Sequence, residues 1–324
     1  MNSRERVHAI LNNQKPDRLP FNFWMDRPLM AELDKKFGPN FRVNHYGVDV
    51  IETFPNIPFT SEHTGNTTYE VDGKIVVKHP LDSVVQFNDI PSPDVNDPKC
   101  YTGIRADRAK YPDKALFALM ITPLEILFNK LGMEQFFLDI ADHDTLIDSA
   151  TERISDVLVK AVDPIADCDV DVLYLAGDIC STQGEMMSMD MLRRFCFDPI
   201  KEIIDRAHER GLKVFYHTDG HVMNILPLFV DYGVDGINPL QLSANNSYEK
   251  FASEYGNKLM LYGGIDNCNI IPNGTPDDVR KHIRHLFSTV GKNGRLIASS
   301  HDIPFYVPME NLETMIDEIK KCTY

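Results

Sequence analysis

The chain is short of several things, and each shortage removes a class of protein. No stretch of its 324 residues approaches the roughly 20 consecutive apolar residues of a membrane-spanning helix. The opening, MNSRERVHAILNNQKPDRLP, alternates charged and apolar residues as an amphipathic helix does. It has neither the apolar core nor the small-residue cleavage site of a secretory signal. A cytoplasmic protein without membrane association is the expectation. Positive charge is also scarce: 33 Lys and Arg against 48 Asp and Glu leave a net charge of −15. That balance excludes a nucleic-acid partner, because phosphate binding needs a basic face. It also disfavours a substrate with many carboxylates unless a local basic pocket collects it. The cysteines, Cys100, Cys168, Cys180, Cys196, Cys268 and Cys322, are scattered and include no CxxC pair. In a chain of this length that spacing predicts reduced thiols, not a disulfide framework.

What is present reads as α/β. Short apolar runs alternate with amphipathic helices, which predicts repeated βαβ units and a parallel sheet. Eight strands can be placed: Arg18–Trp24, Val48–Thr53, Ala115–Ile121, Val170–Ala176, Lys213–His217, Gly236–Pro239, Lys258–Gly263 and Arg295–Ser300. Helices are predicted over Leu29–Phe37, Met189–Arg210, Val222–Tyr232, Ser247–Tyr255 and Thr275–Val290. Ser188 and Thr275-Pro276 supply N-terminal capping chemistry. A long helical region from Pro123 to about Asp167 has a predicted break around Asp142–Asp144. The fold expected is a (β/α)8 TIM barrel forming one domain over 1–324, with 54–113 as an insertion at the catalytic mouth. Within that insertion, TTYEVDGKIVVKH alternates and turns at Asp72-Gly73, a hairpin pattern.

In such a barrel the active site lies at the C-terminal ends of the strands. Polar residues collect there: Trp24, Asp26 and Arg27; Asp178; His217 and Asp219; Asn238 and Gln241; Asp266 after Gly263-Gly264; and His301. His217 and Asp219 are two apart on extended chain and so face one side. With His301 they would make three protein ligands around an open fourth position, the pattern of catalytic zinc. The other reading of the pair is a hydrogen-bonded His–Asp couple without metal. Asp178 reads equally as a general base, a substrate anchor or a loop cap. Asp266 reads equally as a substrate contact or an Asx-turn residue. Gln241 is a candidate amide contact, and Trp24 a candidate apolar wall or a core residue.

Several blocks resemble a known family. SRERVHAILNNQKPDRLPFNFW is similar to the first helix and strand of uroporphyrinogen-decarboxylase-like proteins. GDICSTQGEMMSMDMLRRFCFDPIKEIIDRAHERGLKVFYHTDGHV is similar to their central segment. DYGVDGINPLQ, YGNKLMLYGGIDNCNIIPNGTPDDVRKHI and LIASSHDIPFYVPMENLETM follow in the expected order. The resemblance implies a (β/α)8 barrel and two kinds of chemistry. True decarboxylases grip a tetrapyrrole with an arginine-rich N-terminal loop, where this chain has only Arg27. Corrinoid-linked methyltransferases hold zinc with a His-x-Cys pair and a later cysteine, positions that resemble His217, Asp219 and His301 here. The family thus implies, first, a methyltransferase that moves a methyl group between a small substrate and cobalamin on a separate corrinoid protein, with Zn2+ at those residues. The alternative is a decarboxylase using Asp26 or Asp178 as proton relay and Arg27 as carboxylate anchor. Further arginines at the mouth, with Arg105 and Arg108 as candidates, would favour it. A non-catalytic small-molecule-binding barrel is the third reading. The long amphipathic helices allow either a monomer or a homodimer.

Overall fold

The computed structural model describes residues 1–58, 67–71 and 74–324, the segments 67–71 and 74–77 as backbone only. A short strand β1, Trp24–Met25, precedes seven longer ones: β2 Val50–Thr53, β3 Ala115–Ile121, β4 Val172–Ala176, β5 Lys213–His217, β6 Gly236–Asn238, β7 Met260–Gly264 and β8 Leu296–Ser299. Strands β2 to β8 form one parallel sheet in strict chain order. Its two edges are joined by the chain just before β1. Ala298 N donates to Pro20 O at 2.9 Å and Asn22 N to Ala298 O at 2.9 Å, while Asp49 N donates to Phe21 O at 2.8 Å. The sheet is therefore closed into a (β/α)8 barrel. The predicted first strand, Arg18–Trp24, is mostly irregular, and regular pairing is limited to Trp24–Met25 against Asp302–Ile303. Pro20 has no N–H to give, so a continuous ladder cannot run through it.

Helix α1, Ser3–Leu11, is opened by a capping box between Asn2 and Glu5. The crossover helices are α2 Arg27–Phe37, α3 Thr102–Lys110, α4 Asp144–Ala166, α5 Asp198–Glu209, α6 Leu226–Tyr232, α7 Tyr248–Glu254 and α8 Pro276–Thr289, and α9 Met309–Lys321 ends the chain. Ser188 and Thr275 cap their helices as expected, accepting from Met191 N and Asp278 N. Between β3 and β4 the chain breaks at His143, as predicted, and also at Gly132, whose φ of +81° ends the helix Pro123–Leu131. Residues 222–225 turn instead of opening a helix, so α6 begins late. Between β2 and β3, α3 buries Ile104 and packs on both strands as a crossover helix does. The chain additional to the barrel therefore stops short of it, where the sequence predicts an insertion as far as residue 113. Thr67–Val71 and Lys74–Lys78 pair antiparallel. The predicted turn, Asp72-Gly73, lies outside the described residues. No described helix is long and apolar enough to cross a membrane.

Alternate strand residues fill the barrel: Val50, Phe117, Val172, Tyr174, Phe215, Met260, Tyr262 and Ile297 form one buried cluster, closed from below by Val7, Ile10 and Leu11 of α1. Phe117 meets Phe215 and Tyr262 edge-on, with ring centroids 5.6 and 5.2 Å apart. Beneath this plug lies a buried ionic layer. Asp49, fully buried, accepts from Arg6 Nη1 at 2.8 Å, Arg18 Nη1 at 2.8 Å and Phe21 N at 3.0 Å. Asp171 accepts from Arg4, His8, Arg108 and Leu116 N. Burial pushes the Asp171 carboxyl up, but the hydrogen bonds from His8, Leu116 N and Arg4 outweigh it and hold it below the ordinary range. Arg108 is thus at the opposite end of the barrel from the mouth, and Arg105 donates to Pro98 O at 3.0 Å. Neither is among the residues lining the mouth, where the decarboxylase reading looks for arginines beyond Arg27.

Replacing Asp49 leaves Arg18 without its carboxylate, Arg6 with Asp17 alone, and the Phe21 N–H without an acceptor. Asp49→Ala is expected to lower unfolding free energy by about 3–5 kcal/mol, read as a shift of the urea midpoint.

Candidate functional site

Where the strands end, a cleft of about 250 Å³ opens between Trp24, Glu52, Tyr174, His217, Asn238 and His301, with Phe54, Leu119, Ala176, Ser300 and Asp302 completing its wall. His217 is the last residue of β5 and Asn238 the last of β6, and they are register partners. Their side chains meet: His217 Nδ1 lies 2.6 Å from Asn238 Oδ1. Asn238 Nδ2 donates to Tyr262 O at 2.5 Å. A carbonyl only accepts, so the amide is oriented with its oxygen toward the imidazole. The neutral imidazole of His217 therefore has its proton on Nδ1 and its lone pair on Nε2.

Asp219 stands two residues past β5 and His301 two residues past β8. Ligand atoms of His217, Asp219 and His301 all lie within 4.8 Å of one another, and the three side chains are half-buried. His301 Nδ1 is 3.7 Å from Asp219 Oδ2, and the two imidazole rings stack with centroids 5.2 Å apart. Two imidazoles and one carboxylate suit a borderline cation such as zinc, and three ligands leave a position for substrate. Asp178 borders the group. Its Oδ1 accepts from Asp219 N at 3.0 Å and lies 4.0 Å from His217 Nε2. Gly220 makes the turn after Asp219 feasible: its φ is +93°, and a Cβ there would come within 2.5 Å of Ser181 O.

The second carboxylate of the cleft, Glu52, is one that the strand-end reading passed over. It is the penultimate residue of β2, and the rule applied to the other strands would have found it. Its Oε2 accepts from Trp24 Nε1 at 2.6 Å, and its Oε1 accepts from Tyr262 Oη and from Asn22 Nδ2, the latter at 3.2 Å. Burial pushes the Glu52 carboxyl up, opposed by the Tyr262 hydrogen bond, the Arg42 charge and the Trp24 hydrogen bond. Tyr174 is pushed well up by burial and by the negative charge of Glu52, so its phenol stays protonated. Asn238 was visible as a strand-end residue, but its orienting role needed the register of β5 on β6 and the Tyr262 carbonyl of β7.

Four predicted substrate contacts lie elsewhere. Asp26 caps α2 through Leu29 N at 3.1 Å and accepts from Phe305 N at 2.6 Å. Arg27, the first residue of α2, is exposed and does not line the cleft. Gln241 Oε1 accepts from Gly220 N at 2.9 Å, tying two loops together. Asp266 Oδ1 accepts from Cys268 N at 3.0 Å and Asn269 N at 2.9 Å, the Asx-turn reading. Gly263 passes close to backbone, not ligand, since a Cβ there would sit 2.2 Å from Pro239 O. All six cysteines are free thiols, and only Cys268 is exposed.

A (β/α)8 barrel with an imidazole–carboxylate cluster at its mouth defines a broad class. The family profile described as uroporphyrinogen decarboxylase (URO-D) matches residues 40–322. The chain belongs to that family. No curated protein matches it. Among solved structures it is similar to a methyltransferase from Methanosarcina mazei, with 17% identity and a TM-score of 0.74 over 99% of both chains. It is also similar to a B12-independent methionine synthase from Shewanella sp. W3-18-1 in complex with selenomethionine. There the identity is 11% and the TM-score 0.53, over 94% of this chain and 92% of the other. At these identities the likeness establishes the shared fold.

The loop after β7 carries a pH dependence. Asp266 N donates to His282 Nε2 at 3.1 Å, which requires a neutral acceptor, and burial pulls His282 down to about 4 from its ordinary 6.5. The folded protein thus binds this proton less readily than the unfolded chain, so the stabilisation is complete above pH 6.5 and is lost as pH falls toward 4. The difference corresponds to about 3 kcal/mol. In His282→Gln, urea midpoints measured between pH 7 and 4 are expected to fall less steeply than in the wild type.

Proposed function

We propose that the protein is a methyltransferase of the uroporphyrinogen decarboxylase family, working as one barrel domain over 1–324 and exchanging a methyl group between a small substrate and cobalamin on a corrinoid protein. The observation that carries this reading is the His217, Asp219 and His301 cluster, with ligand atoms within 4.8 Å at the open end of the cleft. Family membership and the 0.74 TM-score to a protein described as a methyltransferase support it. Decarboxylation of a polycarboxylate has less support, because no Lys or Arg lines the described cleft.

His217, Asp219 and His301 would hold a divalent cation such as Zn2+. Such a cation supplies Lewis-acid polarisation of the substrate heteroatom that loses or gains the methyl group. The chain's own contribution is orientation. Asn238 keeps the proton of His217 on Nδ1, Asp178 holds the Asp219 backbone, and Gly220 and Gln241 fix the loop between them. Trp24, Phe54 and Tyr174 supply apolar wall. Phe54, Phe305 and Tyr306 are exposed large hydrophobic residues at and just beyond this wall, which suits a mouth approached by a second macromolecule.

Elemental analysis tests the site. About one zinc per chain is expected in protein purified with zinc, and loss of it in His301→Ala. Asn238→Ala is expected to keep the fold and weaken zinc binding by roughly 10–100-fold, because an orienting hydrogen bond is removed and no ligand is lost. A chelated, metal-free protein that still transfers the methyl group of methylcobalamin to a supplied small acceptor at the full rate, followed by the visible spectrum, overturns the role given to the cluster.

A further inference from the structure

The barrel strands carry three tyrosines, Tyr174, Tyr216 and Tyr262, and the protein itself answers two of them. Tyr262 Oη accepts from Asn22 Nδ2 at 2.6 Å and donates to Glu52. Tyr216 Oη lies 3.3 Å from Cys196 Sγ. Tyr174 differs. It is only 4% exposed, yet among the described residues nothing forms a hydrogen bond with its hydroxyl. A buried phenol ordinarily finds a partner, because an unmet O–H costs about 1–3 kcal/mol.

The strand sets where that hydroxyl stands. Tyr174 belongs to the cluster of side chains filling the barrel, with Leu119 of β3 and Phe215 of β5 as register partners. Its ring meets His217 edge-on, with centroids 6.2 Å apart. Ala176, two residues further along β4, faces the same way and is too short to cover it. Leu119, Tyr174, Ala176 and His217 all line the cleft. The charged groups that act on the phenol, Glu52, Asp219 and Asp178, are those of the mouth. The hydroxyl therefore opens onto the cleft beside His217.

The neighbouring polar atoms are already committed. Trp24 Nε1 donates to Glu52, and the Asn238 amide is divided between His217 and Tyr262 O. Tyr174 remains, and burial and the carboxylates around it keep its proton in place. A protonated phenol offers a donor, and its complement is a lone pair. An anionic ligand would meet Asp219 and Asp178, and an ammonium group has no lone pair. A neutral oxygen meets both conditions.

We propose that Tyr174 is a substrate-binding residue that donates its O–H to an oxygen atom of a small neutral ligand, whose apolar part lies against Trp24, Leu119 and Ala176. This rests on the methyltransferase reading for the fate of the ligand but not for its binding. In that frame the substrate is a neutral, oxygen-bearing compound anchored beside His217, Asp219 and His301.

Cyclohexanone and methylenecyclohexane share one shape and differ in having an oxygen or a CH2 group outside the ring, so the pair isolates the acceptor. Full-length, metal-free protein labelled with 13Cζ-tyrosine reports on each phenol by NMR, and the signal lost in Tyr174→Phe is that of Tyr174. Cyclohexanone is expected to shift this signal and to bind wild type roughly 2–10-fold more tightly than Tyr174→Phe. Methylenecyclohexane is expected to bind both proteins equally. Tyr174→Phe is expected to keep the wild-type urea midpoint, because no internal hydrogen bond is lost, whereas Tyr262→Phe is expected to lower it. Equal affinity of cyclohexanone for wild type and Tyr174→Phe, a Tyr174 signal that stays in place at saturation, or no binding to folded wild type overturns the assignment. So does a lowered midpoint in Tyr174→Phe, which would reveal an internal partner. Because these titrations use no metal, a failure of zinc to bind would sink the function proposed above and leave the role of Tyr174 standing.

Discussion

The barrel depends on how its open edges are joined. Seven parallel strands in chain order make a curved sheet with two exposed edges, β2 and β8. The segment Pro20–Asn22 bonds to both of them through Ala298 and Asp49. That closure brings the end of β8, with His301, around to the side of the barrel that carries Trp24 and Glu52. Without it, the residues of one cleft would lie at opposite margins of an open sheet. The joining segment is weak as a strand, since Pro20 interrupts its ladder. It is held instead by side chains: Asp49, fully buried, binds Phe21 N and the guanidinium groups of Arg6 and Arg18.

The two ends of the barrel treat charge in opposite ways. At the N-terminal end the buried carboxylates Asp49 and Asp171 meet arginine, and α1 plugs the interior above them. This is the arrangement of a face devoted to stability. At the C-terminal end carboxylates face imidazole or neutral donors, with no lysine or arginine along the described cleft. Asp219 and Asp178 stand beside His217 and His301, and Glu52 is held by an indole, a phenol and an amide.

Much of this was legible from residue patterns. The strands Ala115–Ile121 and Lys213–His217 were bounded correctly by their apolar runs, and Ser188 and Thr275 announced two helix starts. The convergence of His217, Asp219 and His301 followed from placing each at a strand end. Other candidates meet partners within the protein. Asp26, Gln241 and Asp266 also stand at strand ends, but each finds backbone N–H groups nearby, and short polar side chains in turns are readily absorbed in that way. Arg108 was a candidate for the mouth only while residues up to 113 were taken as insertion. Once α3 is seen as a crossover helix, its end lies at the bottom of the barrel.

Local sequence, then, determined the alternation of strand and helix, the parallel sheet this implies, and which polar residues fall at strand ends. Those properties depend on periodicity and on capping within a few residues. Tertiary structure alone decided which of those polar residues share a space. The tautomer of His217 depends on Asn238 from the next strand and on a carbonyl from the strand beyond it. Glu52 is held as it is only because Asn22 and Trp24 from one segment and Tyr262 from another close around it. Hydrogen bonding and desolvation act between neighbours in space, and in a closed barrel those neighbours can be more than 200 residues apart in sequence, as Glu52 and Tyr262 are.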